Sequence, residues 1–190
     1  MDLLHYSVEQ ALNILRTGGI ILYPTDTVWG IGCDATDEKA ISRIFKLKQR
    51  DDIKSMIILV AEEKDILKYT ANPDPDVSDF IRNSDRPTTV IYENAIGLPD
   101  NLIGPDGSIA IRITKDSFCK TLIKRLGKPI VSTSANISGH PSPKNFKGIS
   151  VEIIQWVDYV VDYRQDDETE AAPSRIIKIN PDETIHIIRG

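Results

Sequence analysis

The runs Ile20-Ile21-Leu22-Tyr23 and Met56-Ile57-Ile58-Leu59-Val60 have no polar residue at alternate positions. A strand covered on both faces has this pattern, and a strand with one wet face does not. Strands of this kind oblige the rest of the chain to supply helices for both sides of a sheet. Residues 7–15 do so: Val8, Ala11, Leu12 and Leu15 repeat at i, i+3, i+4 and i+7 behind a Ser7/Gln10 capping box, and Gly18-Gly19 stops the helix. Residues 37–49 predict a second helix through Ala40, Ile41, Ile44, Phe45 and Leu47. Residues 116–126 predict another through Phe118, Leu122, Ile123 and Leu126. Shorter helices are expected at 62–69, 77–83 and 151–156, and further strands at 88–92, 108–113, 129–132, 159–161, 175–179 and 184–188. Helices and strands alternate throughout, so the fold class is α/β. The close spacing of the late strands predicts antiparallel as well as parallel pairs.

At 190 residues the chain is expected to form one domain, 1–190, around one core. Hydrophobic residues make up 41% and charged residues 27%, which excludes disorder for most of its length. No apolar run approaches the roughly 20 residues of a membrane span, and Met1-Asp2 opens without a signal-peptide pattern. The expectation is a soluble cytoplasmic protein with no membrane partner. Cys33 and Cys119 form neither a CxxC knuckle nor a disulfide framework and read as buried small hydrophobes. The net charge of −5 argues against a broad basic face for nucleic acid, so any RNA contact needs a local groove. The run Gln165-Asp166-Asp167-Glu168-Thr169-Glu170 is too acidic to pack and predicts a mobile loop over 164–173.

The chain has no GxxxxGK[ST] loop, no GxGxxG, no HExxH and no GxSxG. Four polar clusters instead follow or end apolar runs, where open α/β sheets collect ligand groups. In Pro24-Thr25-Asp26-Thr27-Val28-Trp29-Gly30 the hydroxyls either cap a turn or face a ligand. Lys46-Leu47-Lys48-Gln49-Arg50, with Lys54 close by, lies at a helix end. Cations there answer the helix dipole, or converge to neutralise a triphosphate. The loop from Ser132 to Pro143 carries more hydroxyls than a turn requires and suits phosphate oxygens or a polar substrate. In Ser108 to Arg112, period 2 puts Ser108, Ala110 and Arg112 on one face, where the arginine needs an anionic partner. His5, His140 and His186 lack metal-ligand spacing, and no protein metal site is expected. Lys120, Lys124, Arg125 and Lys128 form a basic stripe, read as a solvated face first and an RNA contact second.

With PTDTVWG inside the 19–32 segment, KQR at Lys48 to Arg50 followed by Lys54, SIAIRI at Ser108 to Ile113 and STSANISG at Ser132 to Gly139, the chain resembles the YrdC-like family of threonylcarbamoyl-AMP synthases in its short single-domain form. The match runs over nearly the whole chain. The resemblance implies a twisted open sheet of parallel and antiparallel strands, helices on its faces and a large concave cavity. It implies an enzyme, a nucleotidyltransferase. L-threonine, bicarbonate and ATP give threonylcarbamoyl-AMP and pyrophosphate, with ATP as substrate and magnesium accompanying it. A downstream threonylcarbamoyl transferase complex then carries the group to tRNA.

Carried over by position, Lys48 and Arg50 have the catalytic role on the phosphates. Lys48, Arg50, Lys54, Ser108, Ser134, Asn136, Ser142 and Arg189 bind ATP, and Thr25, Arg112, Ser132 and Ser174 bind threonine. Trp29 stands where the family usually has Tyr or Phe and is expected as an aromatic wall. Three stretches depart from the usual pattern: Arg86-Pro87-Thr88-Thr89 replaces a PGPxT run, Ser174-Arg175-Ile176 replaces Ser-Thr-Ile, and Lys54-Ser55-Met56 replaces Lys/Asn-Pro-Leu. The alternative function is therefore a YciO-type paralogue that binds nucleotide or RNA without the synthase reaction.

Overall fold

A computed structural model describes residues 2–49, 56–71, 73, 75–179 and 184–190. The expected Arg50 and Lys54 sites lie outside the described residues. The helices are α1 (Leu3–Arg16), α2 (Glu38–Lys48), α3 (Pro75–Arg82), α4 (Ser117–Leu126) and α5 (Val151–Trp156). The strands are β1 (Ile21–Tyr23), β2 (Gly30–Gly32), β3 (Ile57–Val60), β4 (Thr88–Tyr92), β5 (Ile109–Ile113), β6 (Ile130–Ser134), β7 (Tyr159–Val160), β8 (Arg175–Ile179) and β9 (Ile185–Arg189). They form one sheet in the order β7-β1-β2-β6-β3-β5-β4-β8-β9. The pairs β1/β7, β3/β5 and β4/β8 are parallel and the rest antiparallel, so the sheet is mixed.

Three local readings change. The first helix starts at Leu3, where the Asp2 side chain accepts the His5 N–H. Ser7 is an interior, buried position rather than a cap, because the aspartate provides the earlier N-cap oxygen. Residues 63–68 close as a 3-10 helix instead of an α-helix. The strand Gly30–Gly32 was not anticipated, because two of its three residues are glycines with no strand signature. A Cβ on Gly32 would come 2.2 Å from the Val131 carbonyl oxygen and 2.8 Å from the Tyr23 ring, so β2 fits between β1 and β6 only with glycine at position 32. Burial pushes the Tyr23 phenol up, and the protonated hydroxyl donates to the Val131 carbonyl at 3.0 Å.

The pleat divides the core in two. On one side Ile20, Leu22, Ile31, Ile58, Val131, Ile111 and Ile177 pack under α2. On the other, Ile21, Tyr23, Leu59 and Ile130 pack under α1 and α4. Each fully buried Leu or Ile stabilises by roughly 1.5–3 kcal/mol, and α1 and α4 deliver theirs to the β1, β3 and β6 end. Beyond that end, toward β5, β4, β8 and β9, none of the described helices covers the same face. The side chains there turn small or polar, with Ala110 and Arg112 beside Ile57 and Leu59 in register. Among the described residues no helix is long and apolar enough to cross a membrane.

Candidate active site

The uncovered half of this face is a cavity of about 240 Å³. Its floor is β5 (Ala110, Arg112), β6 (Ser132, Thr133, Ser134) and β3 (Ile57). Thr27, Val28 and Gly30 wall it on one side, Ser142 lies on another, and Pro173, Ser174, Ile176, Ile188 and Arg189 close the far edge. Sequence positions more than 160 residues apart thus meet because the late hairpin β8/β9 adds to the sheet beside β4.

Arg112 is 3% exposed. Its Nε and Nη2 have no hydrogen-bond partner among the described residues, although the Asp26 carboxylate stands 3.2 Å from Nη2 at ion-pair distance. A buried guanidinium with unused donors at a cavity wall is an anion-binding group. Arg189 approaches from the opposite edge. Its Nε donates to the Ser174 carbonyl at 3.0 Å and its Nη2 to the Ser174 hydroxyl at 3.3 Å, while that hydroxyl shares a 2.8 Å hydrogen bond with Thr89. Burial, and then the positive charge of Arg112, hold Arg189 below the usual guanidinium range. Two like charges turned toward one small space favour an anion between them.

Lys48 ends α2 and is also 3% exposed. Its Nζ donates to the Ser134 carbonyl at 2.7 Å and to Asn136 Oδ1 at 3.3 Å. The Ser134 hydroxyl donates to the same Oδ1, and Asn136 Nδ2 donates to the carbonyls of Ile137 and His140. Lysine, serine and asparagine therefore form one rigid corner at the carboxyl end of β6. The helix ends there because Gln49 takes a left-handed conformation, φ 49°, which turns the chain out of α2.

The cavity brings together six of the expected residues: Arg112, Ser132, Ser134, Ser142, Ser174 and Arg189. Lys48 and Asn136 join it through Ser134. Two expected residues do not line it. The Thr25 hydroxyl accepts the Thr27 N–H at 2.9 Å and donates to the Val28 carbonyl at 2.9 Å, so it staples the turn. The Ser108 hydroxyl donates to Asp106 at 2.6 Å, ahead of β5. Trp29 is not a cavity wall: it is buried in the α2-side core with its ring 4.9 Å from that of Phe146. Sequence reasoning missed Thr27 and Thr133, which line the space, and Thr89, which fixes Ser174. Their hydroxyls were visible, but only the tertiary structure shows which of them meet at the cavity.

The acidic 164–173 loop is tied down. Lys144 pairs with Glu170 at 2.8 Å, Lys147 pairs with Glu168, and the Ala171 N–H donates to the Lys144 carbonyl at 3.1 Å. Its acidity matches two lysines of the facing loop, a complement that a one-dimensional reading does not display. Three of the four cations in the basic stripe are paired, Lys124 with Glu62, Arg125 with Glu9 and Lys128 with Asp34. Both cysteines are buried. Burial, and then the Asp116 carboxylate, push the Cys119 thiol up, and it donates to the Pro24 carbonyl, tying α4 to the PTDTVWG turn. Among the described residues no group of three or more His, Cys, Asp or Glu side chains is arranged to hold a metal ion.

The threonylcarbamoyl-AMP synthase of Pseudoalteromonas translucida (strain TAC 125) is 31% identical over 159 residues, 82% of this chain and 85% of that protein. The putative threonylcarbamoyl-AMP synthase of Methanocaldococcus jannaschii is 33% identical over 187 residues, 98% of this chain and 85% of that protein. Among solved structures, P. abyssi Sua5 complexed with L-threonine superposes with a TM-score of 0.84 at 24% identity, covering 96% of this chain and 53% of its own length. The chain therefore spans about half of that protein. E. coli YciO superposes with a TM-score of 0.82 at 23% identity over 96% of this chain and 87% of its own. These two likenesses establish the fold, with the mixed open sheet expected above. The family model Sua5/YciO/YrdC, described as telomere recombination, matches residues 13–190, and the chain belongs to that family.

Proposed function

We propose that the protein is a threonylcarbamoyl-AMP synthase, a nucleotidyltransferase that condenses L-threonine, bicarbonate and ATP. The observation that carries the reading is the pair Arg112 and Arg189 facing one cavity floored by serines, in a chain whose relatives bear that name. The threonine nitrogen takes up the bicarbonate carbon with loss of water. One oxygen of the resulting carbamate then attacks the α-phosphorus of ATP. The new O–P bond forms as the bond to the β-phosphate bridging oxygen breaks, and pyrophosphate leaves with that electron pair. Such a reaction asks for placement and charge neutralisation more than for a strong base.

In this reading Arg112 takes the threonine carboxylate, Ser132 and Ser174 meet its remaining polar groups, and Thr25 shapes the turn beside it. Lys48, Ser134, Asn136, Ser142 and Arg189 serve the nucleotide, with Arg50 and Lys54 extending the cationic set and Ser108 more remote. Magnesium arrives as part of the MgATP substrate. The product calls for a downstream transferase complex acting on tRNA in the cytoplasm, and residues 1–190 work as one catalytic domain. The test is pyrophosphate release that depends on threonine and bicarbonate together. Serine, lacking the methyl, should be poorer by about 1–3 kcal/mol, and valine should fail outright because it leaves buried polar groups unmet. Equal turnover with valine removes threonine from the reading. Nucleotide or RNA binding without pyrophosphate release favours a YciO-type paralogue.

A further inference from the structure

The third residue of PTDTVWG lies outside the cavity wall, yet it touches the cavity's most buried cation. Asp26 Oδ1 is 3.2 Å from Arg112 Nη2, off the line a hydrogen bond needs, and that oxygen has no hydrogen-bond partner of its own among the described residues. The other oxygen, Oδ2, accepts the Lys115 backbone N–H at 2.9 Å. The carboxylate is thus anchored on the chain just beyond β5 and leans on the guanidinium from behind. The backbone under it is anchored as well. Arg164, in a left-handed conformation at φ 66°, donates from Nη2 to the Thr25 carbonyl at 2.9 Å and from Nη1 to Asp116 Oδ2 at 2.6 Å.

We propose that Asp26 is a positioning residue for Arg112: it neutralises the buried guanidinium without taking a hydrogen bond from it, and so holds the side chain at the cavity wall with donors left over for an incoming carboxylate. The physical need is specific. A guanidinium 3% exposed and uncompensated would leave its pocket for water. One in a full bidentate pair would have that fork of two donors committed, and a ligand carboxylate could not use it. An ion pair held slightly out of hydrogen-bond line does both jobs, and holding it there requires the second anchor at Lys115 and the clamp at Arg164. The inference rests on the reading of Arg112 as the carboxylate-binding group of the amino-acid substrate.

The experiment compares wild type with Asp26→Asn, measuring KM for threonine and for MgATP in pyrophosphate release, with threonine affinity by calorimetry alongside. Supporting partners of binding groups are worth roughly 10–100-fold in well-studied metal sites. A rise of that order is expected in threonine KM and dissociation constant, with MgATP KM unchanged and kcat falling less than threonine KM rises. A merely structural role would move both KM values together or neither. Asp26→Glu, which retains the charge on a side chain one methylene longer, is expected to show the same threonine-selective rise, smaller than that of Asp26→Asn. If Asp26→Asn fails to fold, Asp26→Glu alone decides. An unchanged threonine KM in the folded variant overturns the positioning role while leaving the reading of the site intact. A wild-type protein that neither binds nor turns over threonine overturns both.

Discussion

Replacing Arg189 with alanine separates the site's function from the fold's stability. In the structure this arginine ends β9 and makes two hydrogen bonds to Ser174, through Nε at 3.0 Å and Nη2 at 3.3 Å. Hydrogen bonds from a charged group contribute about 1.5–3 kcal/mol. Against that gain stand the partial desolvation of the guanidinium, on a residue that stays exposed, and its repulsion from Arg112, which together hold it below its usual range. The difference left for the fold is of order 1 kcal/mol, which for a chain of this length moves the thermal midpoint by about 2–4 °C. The cost to chemistry is larger. A preorganised cation removed from developing phosphate charge costs roughly 10²–10³ in rate, or about 2.7–4 kcal/mol. Turnover measured well below the midpoint should therefore fall by at least two orders of magnitude in a protein that remains folded, and MgATP titrated in a calorimeter should bind more weakly. Arg189→Lys, which retains the charge and loses the planar fork, should lie between. An Arg189→Ala protein with unchanged MgATP affinity would refute the argument, for Arg189 would then serve only to hold Ser174.

Lys48→Ala should lower both turnover and stability, because the ammonium is buried and bonded to the Ser134 carbonyl and Asn136; about 1.5–3 kcal/mol, or roughly 3–12 °C, is expected in a melt, and a folded variant with near wild-type turnover would contradict the assignment. Gly32→Ala should cost about 3 kcal/mol in denaturant titrations, since its Cβ would press on the Val131 carbonyl and the buried Tyr23 ring, neither of which is free to give; a midpoint within error of wild type would disprove the close packing of β2. The half-buried Glu62 accepts hydrogen bonds from Lys124 and then Lys64, which hold its carboxyl at about 2 against an ordinary 4.5. A lowered carboxylate stabilises above its unfolded value, so the gap in urea midpoint between wild type and Glu62→Gln should be constant above about pH 5, shrink as pH falls from 4.5 toward 2, and weaken with salt. A gap unchanged at pH 2 would rule out the ion pairs as its source.

What was legible in the sequence is what short-range chemistry decides. The unbroken apolar runs at β1 and β3 and the 3.6-residue repeats of α2 and α4 named a two-sided sheet, and those repeats placed both helices to within a residue at each end, where the structure shows Asp37 and Asp116 as the N-caps. The SxN corner and its lysine could be read as a candidate site, because polar residues crowded at a strand end are conspicuous against an apolar sheet. Other features were legible only in three dimensions. Which hydroxyls face the cavity depends on how seven strands and the turns between them assemble around it, so Thr25 and Ser108, equally plausible in one dimension, turn their oxygens into local turns, while Thr27 and Thr133 line the site and Thr89 bonds its Ser174. β2 was invisible because glycine has no side chain from which a strand pattern can be read, and its necessity comes from the Tyr23 ring and the Val131 carbonyl pressing on it from neighbouring strands. The opposition of Arg112 and Arg189 across one cavity, and the carboxylate of Asp26 behind the first of them, depend on β8 and β9 joining the sheet beside β4. A local sequence can specify which residues are fit to bind an anion. Only the sheet order brings two of them within reach of the same one, because that order is decided by the packing of apolar faces distant from both.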